Sequence, residues 1–285
     1  MLSLSERELA DISGFVKGKY GVNLASKRSL IESRLGHYIQ SKGFGSFGEY
    51  FSFVLGDASG TEVTNLINLI TTNHTFFMRE NDHFEIFTKD TLPWIESLPN
   101  QGDLRVWCAG CATGEEPYTI SINIMEYMTS RGFLQNGYDT TILASDISEK
   151  ALLTAAKGVY PGESLSAMPP EWILKYFVDI GNGAYRVSPG LRKSVAFKKI
   201  NLLDPIKPKK PFHAIFCRNV MIYFDAETRL SLVARLYEAM APGAYLFVGH
   251  SESLANCKNG LMYISPSVYR KPFKGRAAGQ GRYPR

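Results

Sequence analysis

The segment Leu104-Arg-Val-Trp-Cys-Ala-Gly-Cys-Ala-Thr-Gly-Glu-Glu116 reads as a strand, a tight turn and the opening of a helix. Its first six residues are mostly apolar, glycines 110 and 114 punctuate the turn, and a helical stretch from about Thr113 to Met128 follows. The same rhythm recurs downstream. Thr140–Ala144 is a second strand, ending at Ser145-Asp146 before a helix opened by Ser148. His213–Cys217 and Ala244–Val248 are two more, separated by a helix from about Asp225 to Met240. Strands alternating with helices of this length predict an α/β fold, a parallel sheet covered on both faces. Residues 180–200 interrupt the pattern with Gly/Asn and Pro-Gly turns between short β-like runs, which predicts a small antiparallel appendage there.

Upstream, the first ninety residues carry only helical signals. Ser5-Glu6-Arg7-Glu8 is a capping box, after which Leu9, Ile12 and Val16 recur at helical spacing. A second helix from about Ser26 places Leu30, Ile31, Leu35, Tyr38 and Ile39 on one face and stops at Gly43. Ser46 and Glu49 repeat the box before a third helix, and Val63, Leu66, Ile67 and Ile70 mark a fourth from Thr61. Pro93, Pro99, Asn100 and Gly102 gather where a helical domain would give way to the α/β part.

Composition narrows the class. A chain of 285 residues with 45% hydrophobic, 21% charged and 12% aromatic residues is an ordinary globular chain of about two domains. No apolar run approaches the roughly 20 residues of a membrane span, and the acid-containing N-terminus lacks the apolar core of a secretory signal. Four cysteines in a chain of this length read as reduced thiols, so a cytoplasmic protein is expected. The net charge is only +5, but it is clustered. Lys17, Lys19, Lys27, Arg28, Arg34 and Lys42 face the single acid Glu32 within residues 17–42, and a second basic run spans 191–210. Such clusters are either solvated faces or landing sites for an acidic partner.

In an open parallel sheet, ligands bind beyond the carboxyl ends of the strands. That rule selects Cys108–Glu116, Ser145-Asp146 and Arg218–Tyr223. Glu115 and Glu116 at a helix start would repel a pyrophosphate, which argues against a dinucleotide and for a ligand bearing an ammonium or hydroxyl group. Asp146 stands where an acid commonly takes ribose hydroxyls. Other chemistries find less support. Cys108-Ala-Gly-Cys111 matches C-x-x-C without a thioredoxin-like order of elements, and Gly249-His-Ser-Glu-Ser253 lacks the second glycine of a nucleophile elbow. His37, His74, His83, His213 and His250 show no ligand spacing, so no metal is expected.

Five separated motifs, Thr72-Asn-His-Thr-Phe-Phe-Met-Arg-Glu80, Ala112-Thr-Gly-Glu-Glu-Pro-Tyr118, Asn201-Leu-Leu203, Ile215–Phe224 and Gly249-His-Ser-Glu252, together resemble the chemoreceptor glutamate methyltransferases, the CheR family. The resemblance runs in order over nearly the whole chain. It implies a helical, receptor-docking domain over residues 1–88 and a Rossmann-like methyltransferase domain over 89–273. That domain would use S-adenosylmethionine (SAM) and carry a β-subdomain at about 180–200, with a disordered basic tail over 274–285. It also implies donor contacts from Asn73, Thr75, Arg79, Glu116, Asp146, Asn201, Leu202, Arg218 and Asn219, with Arg79 and Tyr223 flanking the transferred methyl. Lys27, Arg28, Arg34 and Lys42 would dock the acidic receptor bundle. Two departures stand out. His74 occupies a position where Glu or a small polar residue is common, and the stretch 176–201 is about three residues shorter than in members that bind a receptor's C-terminal pentapeptide. Independence of that tether is therefore expected, as is a monomer that neither inserts into membranes nor acts on nucleic acid.

The implied reaction explains what the motifs lack. A glutamate carboxylate, with a pKa of about 4.3, is already ionised at neutral pH and needs no general base. Positioning can then supply most of the acceleration. Two other classes remain open at this level: a nucleic-acid methyltransferase, since Arg218–Tyr223 loosely matches an Asn-x-x-Tyr adenine site, and a SAM-binding adaptor without turnover.

Overall fold

The computed structural model describes residues 2–71, 74–99, 103–132, 139–254 and 260–273. Four helices form the N-terminal unit: α1 (Glu6–Tyr20), α2 (Arg28–Ser41), α3 (Phe47–Gly56) and α4 (Thr61–Ile70). The capping box at α1 is complete, with the Ser5 hydroxyl accepting from the Glu8 N–H and the Glu8 carboxylate from the Ser5 N–H. At α3 only half of it forms. Ser46 caps Glu49, while the Glu49 carboxylate turns to the Gly45 N–H at 2.7 Å. Ile31, Leu35 and Ile39 of α2 are fully buried against the other three helices, as their spacing predicts.

Next, α5 (Asp82–Ile86), a π turn (Phe87–Thr91) and α6 (Leu92–Glu96) run on as one helical rod. Then come β1 (Val106–Ala109), α7 (Glu115–Ser130), β2 (Ile142–Asp146) and α8 (Glu149–Lys157). β3 (Val159–Pro161), α9 (Pro170–Tyr176), β4 (Phe177–Asp179), β5 (Ala184–Val187) and α10 (Pro189–Lys193) follow, before β6 (Val195–Lys199). The chain closes with β7 (Phe212–Cys217), α11 (Ala226–Ala239), β8 (Met240–Val248), β9 (Met262–Ser265) and β10 (Val268–Arg270).

Seven strands build one sheet in the order β6-β2-β1-β7-β8-β10-β9. The first five are mutually parallel, and β10 adds antiparallel to β8 and β9, so the sheet is mixed. Side chains alternate between two cores, as the period of two demands. Trp107, Ala109, Ile215, Cys217, Leu246 and Val248 share a core with the four N-terminal helices and α11. Val106, Cys108, Ala214, Phe216 and Phe247 face the other way, against α5, α7 and the π turn. There Phe216 and Phe247 stack with centroids 4.3 Å apart, and Phe87 meets Phe216 edge-on. The helical domain therefore packs directly on one face of the sheet.

Two boundaries differ from the sequence expectation. The antiparallel appendage is the three-stranded sheet β3-β5-β4, spanning 159–187 rather than 180–200. Val195–Lys199 instead extends the main sheet, pairing in parallel with β2 from Ile142↔Val195 to Asp146↔Lys199. Pro189-Gly190 opens a short helix with Ser188 as its cap, not a hairpin turn. The expected domain division at 88/89 falls inside the α5–α6 rod, whose buried Phe84, Phe87 and Leu92 belong to the methyltransferase-side core. The tail 274–285 lies outside the described residues.

Candidate active site

The carboxyl ends of β1, β2, β6 and β7 open into a cavity of about 930 Å³, part of it open to solvent. After β1 the chain reverses at Gly110 and Cys111, whose N–H groups both donate to the Ser145 carbonyl (2.7 and 2.9 Å). Gly110 has φ +89°, and a Cβ there would lie 2.3 Å from a Val220 methyl, so the turn requires glycine twice over. Met78, Glu80, Ala112 and Asn219, all at this end of the sheet, adopt positive φ without being glycine. Strain of this kind persists only where surrounding bonds over-determine it.

Those bonds are visible. Asp146 accepts from the Ala112 N–H (2.9 Å) and the Ser148 N–H (2.8 Å), while burial pushes its carboxyl up. Both oxygens retain a lone pair for further donors. Glu116 lines the cavity and pairs with Arg218 at 2.7 Å; it also accepts from the Cys108 thiol at 3.2 Å. Its neighbour Glu115 turns inward, is buried and accepts from the Thr113 hydroxyl at 2.7 Å. The Arg218 side chain is fully buried and also grips Glu80, with Nη2 at 3.0 Å and Nε at 3.2 Å, and the Arg79 carbonyl. Burial raises the Glu80 carboxyl, but the Arg218 charge and the bonds from Asn219 and Arg218 outweigh it, leaving it below the usual range.

The segment after β7 is held from behind by Glu252. Its carboxylate accepts from the backbone N–H groups of Gly249 (2.6 Å), Asn219 (2.7 Å) and Ile222 (3.1 Å). The Gly249–Glu252 motif is thus a clamp on the Asn219–Tyr223 loop rather than a nucleophile elbow. Tyr223 lines the cavity, and its carbonyl accepts from the Asn23 N–H at 2.8 Å. Arg79 reaches the cavity wall half-buried, with Nη1 donating to the His74 carbonyl at 2.8 Å and its guanidinium 5.8 Å from the Phe76 ring centre.

Of the expected donor residues, Thr75, Arg79, Glu116, Asp146, Asn201, Leu202, Arg218 and Asn219 all line this one cavity, together with Tyr223. Asn73 lies outside the described residues. His74 also lines it. Tyr20, Val22, Ile67 and Thr71 of the helical domain complete the wall and were not foreseen, nor were Glu80 and Glu252 as its props. Ile147 and Ile200, which immediately follow β2 and β6, line the cavity as well; the sequence reading named neither, and it did not place β6 in the main sheet. Asn201 is fixed across the domain junction, its amide donating to the Lys19 carbonyl at 2.9 Å.

The four expected docking residues part company. Arg34 donates to the Ile70 and Thr71 carbonyls (3.2 and 3.1 Å), capping α4, and Arg28 reaches Glu6 at 2.5 Å and the Leu4 carbonyl. Lys27 and Lys42 are exposed, Lys42 lying 3.6 Å from the buried carboxylate of Glu62. The Cys108 and Cys111 thiols are buried and free, and burial raises both well above the ordinary range, the reverse of a redox-active pair.

The donor set specifies a ligand type. Val22, Ile67, Ile147, Ile200, Leu202 and Phe224 offer an apolar slot for a flat ring, and Asp146 offers acceptors for vicinal hydroxyls. Glu116 and Asp146 bring two carboxylates to the lining, while Arg218 is already paired with Glu116 and with Glu80 outside it, which favours a ligand carrying a cationic centre. SAM, with adenine, ribose and sulfonium, meets all three requirements.

Comparison with known proteins agrees. The family model "CheR methyltransferase, all-alpha domain" matches residues 7–71, and "CheR methyltransferase, SAM binding domain" matches residues 73–269. The two meet on the N-terminal side of α5. The chain is 38% identical over 275 residues to a chemotaxis protein methyltransferase of Borreliella burgdorferi, covering 95% of this chain and 96% of the relative. It is 33% identical over 275 residues to the chemotaxis protein methyltransferase of Escherichia coli, covering 94% and 92%. A helical domain seated on a SAM-binding sheet, matched along its length by such relatives, makes this chain a member of the CheR methyltransferase family.

Proposed function

We propose that the chain transfers the methyl group of SAM to glutamate side chains of a chemoreceptor's cytoplasmic domain, forming methyl esters that tune chemosensory signalling. One observation carries the reading: a single cavity joins the carboxylate floor of Glu116 and Asp146 to a cationic Arg79 and a phenolic Tyr223. The first pair suits a sulfonium donor, the second an anionic acceptor. SAM supplies an electrophilic methyl on a positively charged sulfur. Arg79 and Tyr223 orient the acceptor carboxylate in line with it, and the Val22, Ile67 and Phe224 wall keeps water out as the opposite charges cancel. Asn73, Thr75, Asn201, Leu202, Arg218 and Asn219 hold the donor with Glu116 and Asp146.

In this reading the exposed Lys27 and Lys42 steer the acidic receptor bundle, whereas Arg28 and Arg34 shape the surface that meets it. The short β4–β5 hairpin favours action without a receptor pentapeptide, and the enzyme works as a cytoplasmic monomer. Among the described residues no helix is long and apolar enough to cross a membrane. Methyl-labelled SAM, incubated with the protein and a chemoreceptor cytoplasmic fragment, tests the proposal. Label released as methanol by mild alkali is expected. Alkali-stable label, or label only on added nucleic acid, would refute it.

A further inference from the structure

Next to Arg218, which pairs with Glu80, and outside the lining of the donor cavity, Glu80, His83 and His250 each bring one ligating atom to within 4.8 Å of the others. The fold alone unites them. Glu80 precedes α5, His83 lies within it, and His250 follows β8, so no spacing in the chain announces the group. His83 is the informative member. Its imidazole is fully buried, yet neither ring nitrogen has a hydrogen-bond partner. A buried polar group left unpaired forfeits about 1–3 kcal/mol, and such groups mark a missing water or ion. The rings packed on it, Phe247 at 5.8 Å and His250 at 4.9 Å, supply no acceptor at those nitrogens.

The distances suit a cation. His83 Nδ1 lies 3.6 Å from Glu80 Oε2, too far for a hydrogen bond. Two ligands on a tetrahedral ion with bonds of about 2.1 Å are separated by about 3.4 Å. His250 Nε2 lies 3.1 Å from Asp82 Oδ2, so a second carboxylate stands at the same place. Two imidazoles with one or two carboxylates are a donor set for late first-row divalent ions. We propose that Glu80, His83 and His250 bind one divalent cation of the zinc class, with Asp82 as fourth ligand or as the group orienting His250. Arg218 is the opposing charge, since it already donates to Glu80 Oε2 at 3.0 and 3.2 Å. That oxygen is shared between guanidinium and metal, and the two acids Glu80 and Asp82 leave the cluster net negative before the ion arrives. Half-exposed His250 is the entry route. Once bound, the ion ties the start of α5 to the loop after β8 and braces the Glu80–Arg218 pair beneath the donor cavity.

The full chain, stripped with a chelator, is titrated with zinc against a chromophoric competitor and separately with cobalt. One equivalent of zinc and a tetrahedral cobalt absorption band are expected, with His250→Ala weakening zinc binding by about tenfold or more. No binding, or binding that His250→Ala leaves within about threefold, overturns the proposal. A measurement on the unaltered protein guards against a misfolded variant. Zinc should protect His250 from diethyl pyrocarbonate, mapped by mass spectrometry, and equal modification with and without zinc also overturns it.

Discussion

Glu252→Gln is the sharpest test of how the site is held. Glu252 is 1% exposed, and its two oxygens receive three backbone N–H groups, from Gly249 and Asn219 on one and Ile222 on the other. Glutamine keeps the shape but can place an oxygen at only one of these positions. With its oxygen toward Gly249 and Asn219, two bonds lose charge assistance, about 1 kcal/mol each. The amide NH₂ then confronts the Ile222 N–H, leaving it unpaired at about 1–3 kcal/mol. Against this, removing a buried charge returns desolvation energy; burial already pushes the Glu252 carboxyl above its ordinary value despite those bonds. The loss outweighs the return, and a net destabilisation of about 2–4 kcal/mol is expected. Urea unfolding of both proteins at pH 7 reads it directly. Because the clamp fixes Asn219 and Tyr223, SAM affinity and methyl transfer should fall together in protein that is still folded at low urea. A change below about 0.5 kcal/mol with unaltered transfer would refute the clamp.

Gly110→Ala should weaken SAM binding and stability together, by about 1–2 kcal/mol for the left-handed backbone and about 1–3 kcal/mol for the collision with Val220. Val220→Ala added to it should recover only the second part, as melting curves of the pair would show. Burial, with the nearby Arg105 charge, depresses His213 from 6.5 to about 4. Its neutral form stabilises the fold fully above about pH 6.5, and that stability is lost as pH falls toward 4, up to about 3 kcal/mol. His213→Gln should flatten the pH–stability curve by that amount over this window. Cys108, Cys111 and Cys217 should ignore a thiol reagent at pH 8 until urea unfolds the chain, and rapid labelling of any one in the native protein would contradict the burial described. Arg34→Ala should lower stability by about 1–3 kcal/mol through the uncapped α4 carbonyls, whereas Lys27→Glu should leave the melting curve unchanged and slow methylation of a receptor fragment at low salt.

What could be read from sequence was local. Ser5 and Glu8 lie three residues apart, so their box was legible, and so were the stop at Gly43 and the strand ends carrying Glu116, Asp146 and Arg218. What escaped depends on distant partners. Val195–Lys199 looks like one arm of a hairpin until Ile142–Asp146, 53 residues earlier in register, claims it as a sheet edge. Glu252 looks like part of a loop motif, because two of its three partners are main-chain groups some 30 residues away that carry no sequence signature. Arg28 and Arg34 read as part of a basic helix face, yet backbone carbonyls at Leu4, Ile70 and Thr71 engage them. Charge is visible in a sequence; what neutralises it is not.

The end of α1 and the residues just after it do more than hold the helical domain on the sheet. Tyr20 and Val22 form part of the cavity wall, the Lys19 carbonyl fixes Asn201, the Asn23 N–H holds the Tyr223 carbonyl, and Lys17 pairs with Asp225 at 2.7 Å. Neither domain owns the pocket. The thermodynamic consequence is reciprocal: whatever affinity the donor draws from Tyr20 and Val22 reappears as added adhesion between the domains when it binds. The donor-loaded protein therefore presents its N-terminal helices on a stiffer mount, and a partner that strains those helices loosens the donor's hold by the same free energy.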